Sequence, residues 1–326
     1  MRPTLADIRR ARERIASVAL RTPLVRLNAE ADGAWIWLKL ENLQPIGSFK
    51  IRGATNAMAN MAPEQLARGV YTASAGNMAQ GVAWCARERG IPCTVIAPQA
   101  APATKLRAIE RLGARVIPVP FERWWKIFQD REFPGVEGTF IHAFDDPDVM
   151  AGNGTIGLEI AEDLADVDTV VVPWGGGGLA CGIASAMRAL LPGCRVLTAE
   201  AETGAPFAAS HAAGSPQTVE HRPSFVDGIG SRTVLPRMFE LARGLVDGAL
   251  TATLPEIGAA IALLAERNRV VAEGAGACAL ACALAGRAGR GRIVCIVSGG
   301  NIDADRLAAL LAGEARVTPA SVTAVH

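Results

Sequence analysis

The sequence predicts an α/β protein built on a largely parallel sheet. Short runs rich in β-branched residues alternate with longer segments of helical periodicity, and this alternation is typical of βαβ units. Half of the 326 residues are apolar and a fifth are charged. These proportions indicate a soluble globular protein, with enough length for about two domains.

The predicted helices follow from caps and apolar periodicity. Thr4 and Asp7 have the spacing of a capping box at the start of the first helix. Ser48 is placed to cap a helix that runs to about Met61. Two further helices are predicted over residues 77–89 and 103–112.

β-Branched runs predict the strands, which span residues 35–40, 71–74, 93–97, 115–119, 139–143, 170–172, 195–198 and 293–297. The second to the fifth of these runs lie close together in the sequence. With the helices between them they predict a small α/β domain over residues 68–145. Residues 1–67 and 146–326 then form the large domain.

Composition narrows the classes of partner. The 33 basic and 32 acidic residues leave a formal charge of +1, so neither nucleic acid nor an anionic membrane surface is an expected partner. The uncharged stretch from Thr169 to Met187 is long enough to span a bilayer, but four consecutive glycines make a spanning helix improbable. Seven cysteines without a C-x-x-C motif predict no disulfide framework and fit a reducing cytoplasm.

Four consecutive glycines, Gly175, Gly176, Gly177 and Gly178, lie between an apolar run and a helix that begins near Leu179. Such a run costs backbone entropy, so a plain connector rarely contains it. A bare backbone can wrap closely around an anion, and the helix start adds free N–H groups and about half a positive charge. The turn predicts a phosphate-binding loop, with a tight strand-to-helix crossing as the alternative.

Lys50 lies between the apolar residues Phe49 and Ile51. A lysine must be neutral to act as a nucleophile, which costs about 4.6 kcal/mol at pH 7 from an ordinary pKa of about 10.4. Apolar neighbours are consistent with the desolvation that lowers this cost. A solvated surface charge is the alternative for a lysine considered alone.

Two more polar turns follow strands. The segment Ser74-Ala75-Gly76-Asn77 opens a helix, where small side chains and free N–H groups suit a carboxylate; an ordinary cap is the alternative. Ser298 follows the last strand, and its hydroxyl is able to face an unprotonated ring nitrogen. A simple turn is the alternative there.

The order and spacing of "GSFKIRGA", "SAGN", "GGGGL" and "SGGN" resemble the serine/threonine dehydratase family of fold-type II pyridoxal-phosphate (PLP) enzymes. The resemblance covers nearly the whole chain, and the family also includes serine racemases. It implies two open, twisted, mostly parallel sheets flanked by helices, in a large and a small domain. It also implies a homodimer that acts on a small amino acid.

The resemblance assigns roles to single positions. Lys50 carries PLP as an imine and, once displaced, acts as the base, and Ser74 is the second catalytic candidate. Gly175 to Gly178 form the phosphate cradle. The other cofactor-binding positions are Phe49 beside the cofactor, Asn77 at the ring hydroxyl, Glu273 near the ring and Ser298 at the ring nitrogen. The substrate carboxylate is assigned to Ser74, Ala75, Gly76 and Asn77.

The implied reaction removes water from a 3-hydroxy amino acid, such as threonine, serine or a relative, and gives a 2-keto acid and ammonia. Three positions depart from the family pattern. Ala75 replaces the serine base of the racemases, and Met78 replaces a histidine that many members have. Glu200 matches the first ligand of the racemase cation site, but Pro206 replaces the second, so no metal site is predicted.

Other functions stay open at this point. Trp124 and Trp125 lie where the family chain approaches the substrate side, and they belong either to the core or to a pocket for a bulkier substrate such as phenylserine. A serine racemase-like enzyme and a β-replacement enzyme are further enzymatic alternatives. The non-enzymatic alternative is a ligand-binding protein that retains the fold.

Overall fold

A computed structural model describes residues 2–31 and 33–313 of the chain. Within these ranges ten strands form two sheets. They are β1 (Leu24–Arg26), β2 (Ala34–Leu40), β3 (Val70–Ala73), β4 (Cys93–Pro98), β5 (Arg115–Val119), β6 (Thr139–Phe140), β7 (Thr169–Pro173), β8 (Arg195–Ala201), β9 (Gly248–Ala252) and β10 (Gly291–Val297).

Thirteen α-helices flank the sheets within the same described residues. They are α1 (Leu5–Ile15), α2 (Lys50–Ala59), α3 (Pro63–Ala67), α4 (Asn77–Arg89), α5 (Ala103–Arg111), α6 (Phe121–Asp130), α7 (Pro147–Asp163), α8 (Gly178–Leu190), α9 (Pro206–Ala213), α10 (Pro236–Arg243), α11 (Leu254–Leu263), α12 (Gly274–Leu284) and α13 (Ala304–Leu311). A 3-10 turn spans Glu41–Leu43 and a π-helical turn spans Leu264–Asn268. No helix in residues 2–31 or 33–313 combines the length and apolar character that crossing a bilayer requires.

The large sheet has the strand order β1-β2-β10-β7-β8-β9, and the small sheet has the order β5-β4-β3-β6. Every pairing is parallel except that of β1 with β2. The predicted fold class, an α/β protein with two mostly parallel sheets, is confirmed. The four strands of the small sheet lie between residues 70 and 140, while the division into domains at 68 and 145 stays a prediction.

Helices cover both faces of the large sheet. Along β7, Val170 belongs to the same apolar cluster as Ile183 of α8, and Val171 belongs to a different cluster that includes Cys278 of α12. Neighbouring side chains of a strand point to opposite faces, so a strand buried on both sides is a continuous apolar run. All seven cysteines are buried and free.

Two local predictions are wrong. Ser48 does not cap α2, because Phe49 occupies the cap position and the Ser48 backbone forms an isolated bridge with Gly299. The strand predicted over residues 139–143 ends at Phe140, because the chain then bends around His142. The Nδ1 atom of His142 accepts hydrogen bonds from the backbone N–H groups of Phe144 and Asp145.

Candidate active site

One cleft of about 570 Å³ collects the four sequence motifs. It lies at the carboxyl ends of β3, β4, β7 and β10, where open α/β sheets bind their ligands. All the predicted site residues line it, namely Phe49, Lys50, Ser74, Ala75, Gly76, Asn77, Gly175, Gly176, Gly177, Gly178, Glu273 and Ser298. The fold therefore brings together side chains that the sequence separates by more than 200 positions.

Lys50 is the first residue of α2 and lies in this cleft. Its Nζ donates a hydrogen bond to the carbonyl oxygen of Ala143 at 2.8 Å and lies 5.1 Å from the centroid of the Phe49 ring. Burial lowers the pKa of Lys50 to about 8, because an ammonium group loses hydration in apolar surroundings. At neutral pH a larger fraction of Lys50 is therefore in the neutral amine form than of a solvated lysine.

A buried ionic cluster anchors the helix that carries Lys50. Arg52 Nε donates to Glu41 at 2.8 Å, and Arg52 Nη1 donates to Glu159 of α7 at 2.6 Å. Lys39 of β2 also pairs with Glu159, at 2.6 Å. Two cations and two carboxylates compensate one another, so the cluster holds α2 against α7 and β2 without an uncompensated buried charge.

The glycine turn is closely packed on its protein side. Gly177 has a φ of 92°, a conformation that residues with a side chain rarely adopt. A Cβ atom on Gly176 would overlap the Phe144 ring, and one on Gly177 would overlap the Trp174 ring. The bare backbone is therefore required here, and α8 begins at its last glycine with the N-terminal positive end of its dipole.

The segment between His142 and Asp145 connects the lysine to the glycine turn. Ala143 accepts the hydrogen bond from Lys50, and the next residue, Phe144, packs against Gly176 and Gly178. Neither contact has a local sequence signal, since both are made by a loop. The sequence analysis therefore missed Ala143 and Phe144.

Asn77 and Glu273 form a hydrogen-bonded pair at one side of the cleft. Asn77 Nδ2 donates to Glu273 Oε1 at 2.7 Å, and Asn77 Oδ1 accepts from Asn301 Nδ2 at 2.8 Å. Burial raises the pKa of Glu273 to about 7, although the hydrogen bond from Asn77 opposes the rise. The carboxyl group is thus able to exchange a proton near neutral pH.

The Ser74–Gly76 turn precedes α4. The Gly76 N–H donates to Ser74 Oγ at 3.2 Å, which bends the chain tightly before the helix. The first turn of α4 leaves N–H groups without intrahelical partners, as an anion site requires. The structure thus places a small, polar turn beside Lys50.

An ion pair that the sequence did not reveal joins two walls of the cleft. Lys105 of α5 lies 2.5 Å from a carboxylate oxygen of Asp227, and both residues line the cleft. Asp227 raises the pKa of Glu273, and Lys105 lowers it. The pair therefore sets the local field at the Asn77–Glu273 side.

The family model described as "pyridoxal-phosphate dependent enzyme" matches residues 15–299. The chain belongs to this family. This PLP enzyme is 43% identical over 310 residues to an L-threonine ammonia-lyase of Thermotoga maritima, covering 93% of this chain and 77% of that protein. It is 40% identical over 308 residues to the catabolic L-threonine dehydratase of Escherichia coli, covering 92% of this chain and 94% of that protein.

Solved structures also support the similarity of this PLP enzyme to the serine/threonine dehydratase group. A maize serine racemase superposes with a TM-score of 0.85 at 31% identity, covering 96% of this chain and 98% of that chain. The resemblance to fold-type II serine/threonine dehydratases and the predicted cofactor are thereby confirmed.

The cleft of this PLP enzyme fits the cofactor on its own geometry. It provides a desolvated lysine amine for the aldehyde and a glycine turn at a helix start for the phosphate. Ser298, 4% exposed, lines the cleft at the end of β10 with a neutral hydroxyl. These are the donor types that an aldehyde, a phosphate and a pyridine nitrogen require.

Glu200, which matched half of a cation site, has another role. Its two carboxylate oxygens accept hydrogen bonds from the backbone N–H groups of Phe207 and Ala208 at the start of α9. Burial raises the pKa of Glu200 to about 8. In the described part of the chain, no group of three or more His, Cys, Asp or Glu side chains is arranged to hold a metal ion.

Proposed function

We propose that this protein is a PLP-dependent ammonia-lyase that removes water from a 3-hydroxy amino acid, such as threonine or serine, and gives a 2-keto acid and ammonia. The observation that carries the proposal is Lys50, an amine of lowered pKa in the same cleft as the glycine turn. The similarity to threonine ammonia-lyases and dehydratases over more than 90% of the chain supports the reaction.

Lys50 is the proposed base. With a pKa of about 8, about a tenth of the Lys50 side chains are neutral at pH 7, whereas at an ordinary pKa of about 10.4 only about four in ten thousand would be. When bound, PLP supplies an electron sink for the charge left at the substrate α-carbon. The neutral Nζ accepts the α-proton, and the carbonyl of Ala143 holds Nζ in place by the bond of 2.8 Å.

The chain's other site residues orient the reactants. The Ser74–Gly76 turn and the first N–H groups of α4 would bind the substrate carboxylate, and the glycine turn would bind the cofactor phosphate. Asn77 would hold the cofactor at its ring hydroxyl and Ser298 at its ring nitrogen, and Glu273 and Phe49 would lie near the ring. Loss of the α-proton and of the 3-hydroxyl as water leaves an unsaturated amine, which hydrolyses to the keto acid and ammonia.

Racemisation is disfavoured at this site. Two similar solved structures are serine racemases, and reversal of configuration needs a proton donor on the face opposite Lys50. Ala75 occupies the position that the racemases fill with serine, and its methyl group exchanges no proton. We therefore propose elimination as the principal reaction, in a cytoplasmic homodimer with the domain division at residues 68 and 145.

The test is chemical labelling. Reduction of the holoenzyme with borohydride is expected to fix the cofactor to the peptide that contains Lys50, and Lys50→Ala is expected to lose keto-acid release from threonine and serine. Lys126→Ala is the matched control, because the side chain of Lys126 is 69% exposed on α6 and outside the cleft. A fully active Lys50→Ala variant, or a label on another lysine, would refute the proposal.

A further inference from the structure

One wall of the cleft is made of rings. Helix α6 contributes Trp124, Trp125 and Phe128, and Phe144 continues the surface to the glycine turn. Trp124 packs edge-on to Phe128 with centroids 4.9 Å apart, and Phe128 stacks with Phe144 at 5.6 Å. We call these four residues the aromatic wall.

The aromatic wall faces the cleft as well as the core. Phe128 is buried and packs from behind on His142 at 5.3 Å, whereas Trp124, Trp125 and Phe144 are partly exposed. All three α6 residues that line the cleft are aromatic. This part of the site is therefore shaped for an apolar group with a flat surface.

The charged groups of the cleft lie on other walls. Lys50 and Glu273 belong to the region that holds the reacting centre, and Lys105 is paired with Asp227. A substituent that reaches the aromatic wall meets aromatic rings, so a carboxylate there would lose hydration and find no cationic side chain among these four residues. An aryl substituent would gain stacked or edge-to-face contacts.

We propose that the aromatic wall selects a 3-hydroxy amino acid with an aryl group on carbon 3, an arylserine. This inference rests on the proposed dehydration and specifies its substrate class. On carbon 3, serine and threonine present only a hydrogen or a methyl group to the rings. Most of the surface of the aromatic wall would then have no contact with the substrate. Trp124 and Trp125 are thus specificity-determining residues.

The first experiment compares kcat/KM for L-threo-3-phenylserine and L-threonine by keto-acid release from the holoenzyme. Wild type is expected to prefer phenylserine by about tenfold or more. Trp125→Ala is expected to bring the ratio close to one, and Trp125→Leu, which keeps more of the packing, to lower it in the same direction. Lys126→Ala on the same helix is expected to leave the ratio unchanged.

The second experiment measures binding without turnover. L-Phenylalanine lacks the 3-hydroxyl, so calorimetry on the holoenzyme compares its affinity with that of L-alanine, and the preference for phenylalanine is expected to fall in Trp125→Ala. A wild-type preference for threonine and alanine, or ratios that Trp125 does not change, would overturn the inference. If no 3-hydroxy amino acid releases a keto acid, the proposed function fails, while phenylalanine binding still decides the role of the wall.

Discussion

Asn77 donates a hydrogen bond to Glu273 over 2.7 Å and thereby joins the two sheets at the cleft. Asn77 begins the helix after a strand of the small sheet, and Glu273 is the cap residue of α12 on the large sheet. Because Asn301 donates to the other end of the same amide, the orientation of Asn77 is fixed. The pKa of Glu273 therefore depends on how the two sheets meet at the cleft.

The pKa of Glu273 is expected to respond in opposite directions to the two members of the Lys105–Asp227 pair. Lys105→Met removes a cation that lowers this pKa, so the value should rise above about 7; Asp227→Asn removes an anion that raises it, so the value should fall. The infrared band of the protonated carboxyl, assigned with Glu273→Gln, measures both. Shifts of the same sign would contradict this account.

Arg52→Met is expected to destabilise the fold by about 3 to 5 kcal/mol, because it leaves two buried carboxylates, Glu41 and Glu159, with one fewer cation. Denaturant unfolding measures the change. Arg87→Met removes an exposed pair with Glu88 and should change stability by less than about 1 kcal/mol. Equal effects of the two substitutions would mean that the buried cluster does not anchor α2.

Gly176→Ala is expected to weaken PLP binding by about fivefold or more, because overpacking costs about 1–3 kcal/mol and the new methyl group would overlap the Phe144 ring. The dissociation constant for reconstitution of the apoenzyme is the measurement. Adding Phe144→Ala should restore part of the affinity. Gly193→Ala, where the methyl group meets open space, is the control, and a normal affinity in Gly176→Ala would disprove the steric account.

Glu200→Gln is expected to become more stable relative to wild type as the pH rises from 5 to 8. The folded-state pKa of about 8 lies above the ordinary value of 4.5, so the folded protein retains a proton that the unfolded chain loses. Stability from this group is fully present below pH 4.5 and is lost toward pH 8, by on the order of 3 kcal/mol between pH 5 and 8. Thermal melts of both proteins across this range test the trend, and a constant difference would argue against it.

Local pattern was sufficient for most of the secondary structure. The β-branched runs predicted eight strands because a strand buried on both faces needs apolar residues at consecutive positions. Helix α4 begins and ends at the residues predicted for it, Asn77 and Arg89. Strands β1 and β9 were missed, because three residues with a polar end and a run that opens with glycine lack that pattern.

The sequence by itself determined which backbone turns are available for chemistry. Lysine, serine, asparagine and glycine motifs at strand ends are local features, and their order along the chain was enough to indicate the family. The partners of these motifs were decided only by the tertiary structure. Lys50 meets Ala143 and Gly176 meets Phe144 because the loop between β6 and α7 lines the cleft, and the contacts of such a loop depend on packing between distant segments.

The pairing of charged residues was likewise decided only by the tertiary structure. Nothing in local spacing pairs Arg52 with Glu159, 107 positions away, or Lys105 with Asp227, 122 positions away. These pairs exist because β10 lies between β2 and β7 and the small sheet lies across the cleft. Sequence periodicity specifies which faces are apolar, whereas the order of strands in the sheets specifies which charges become neighbours.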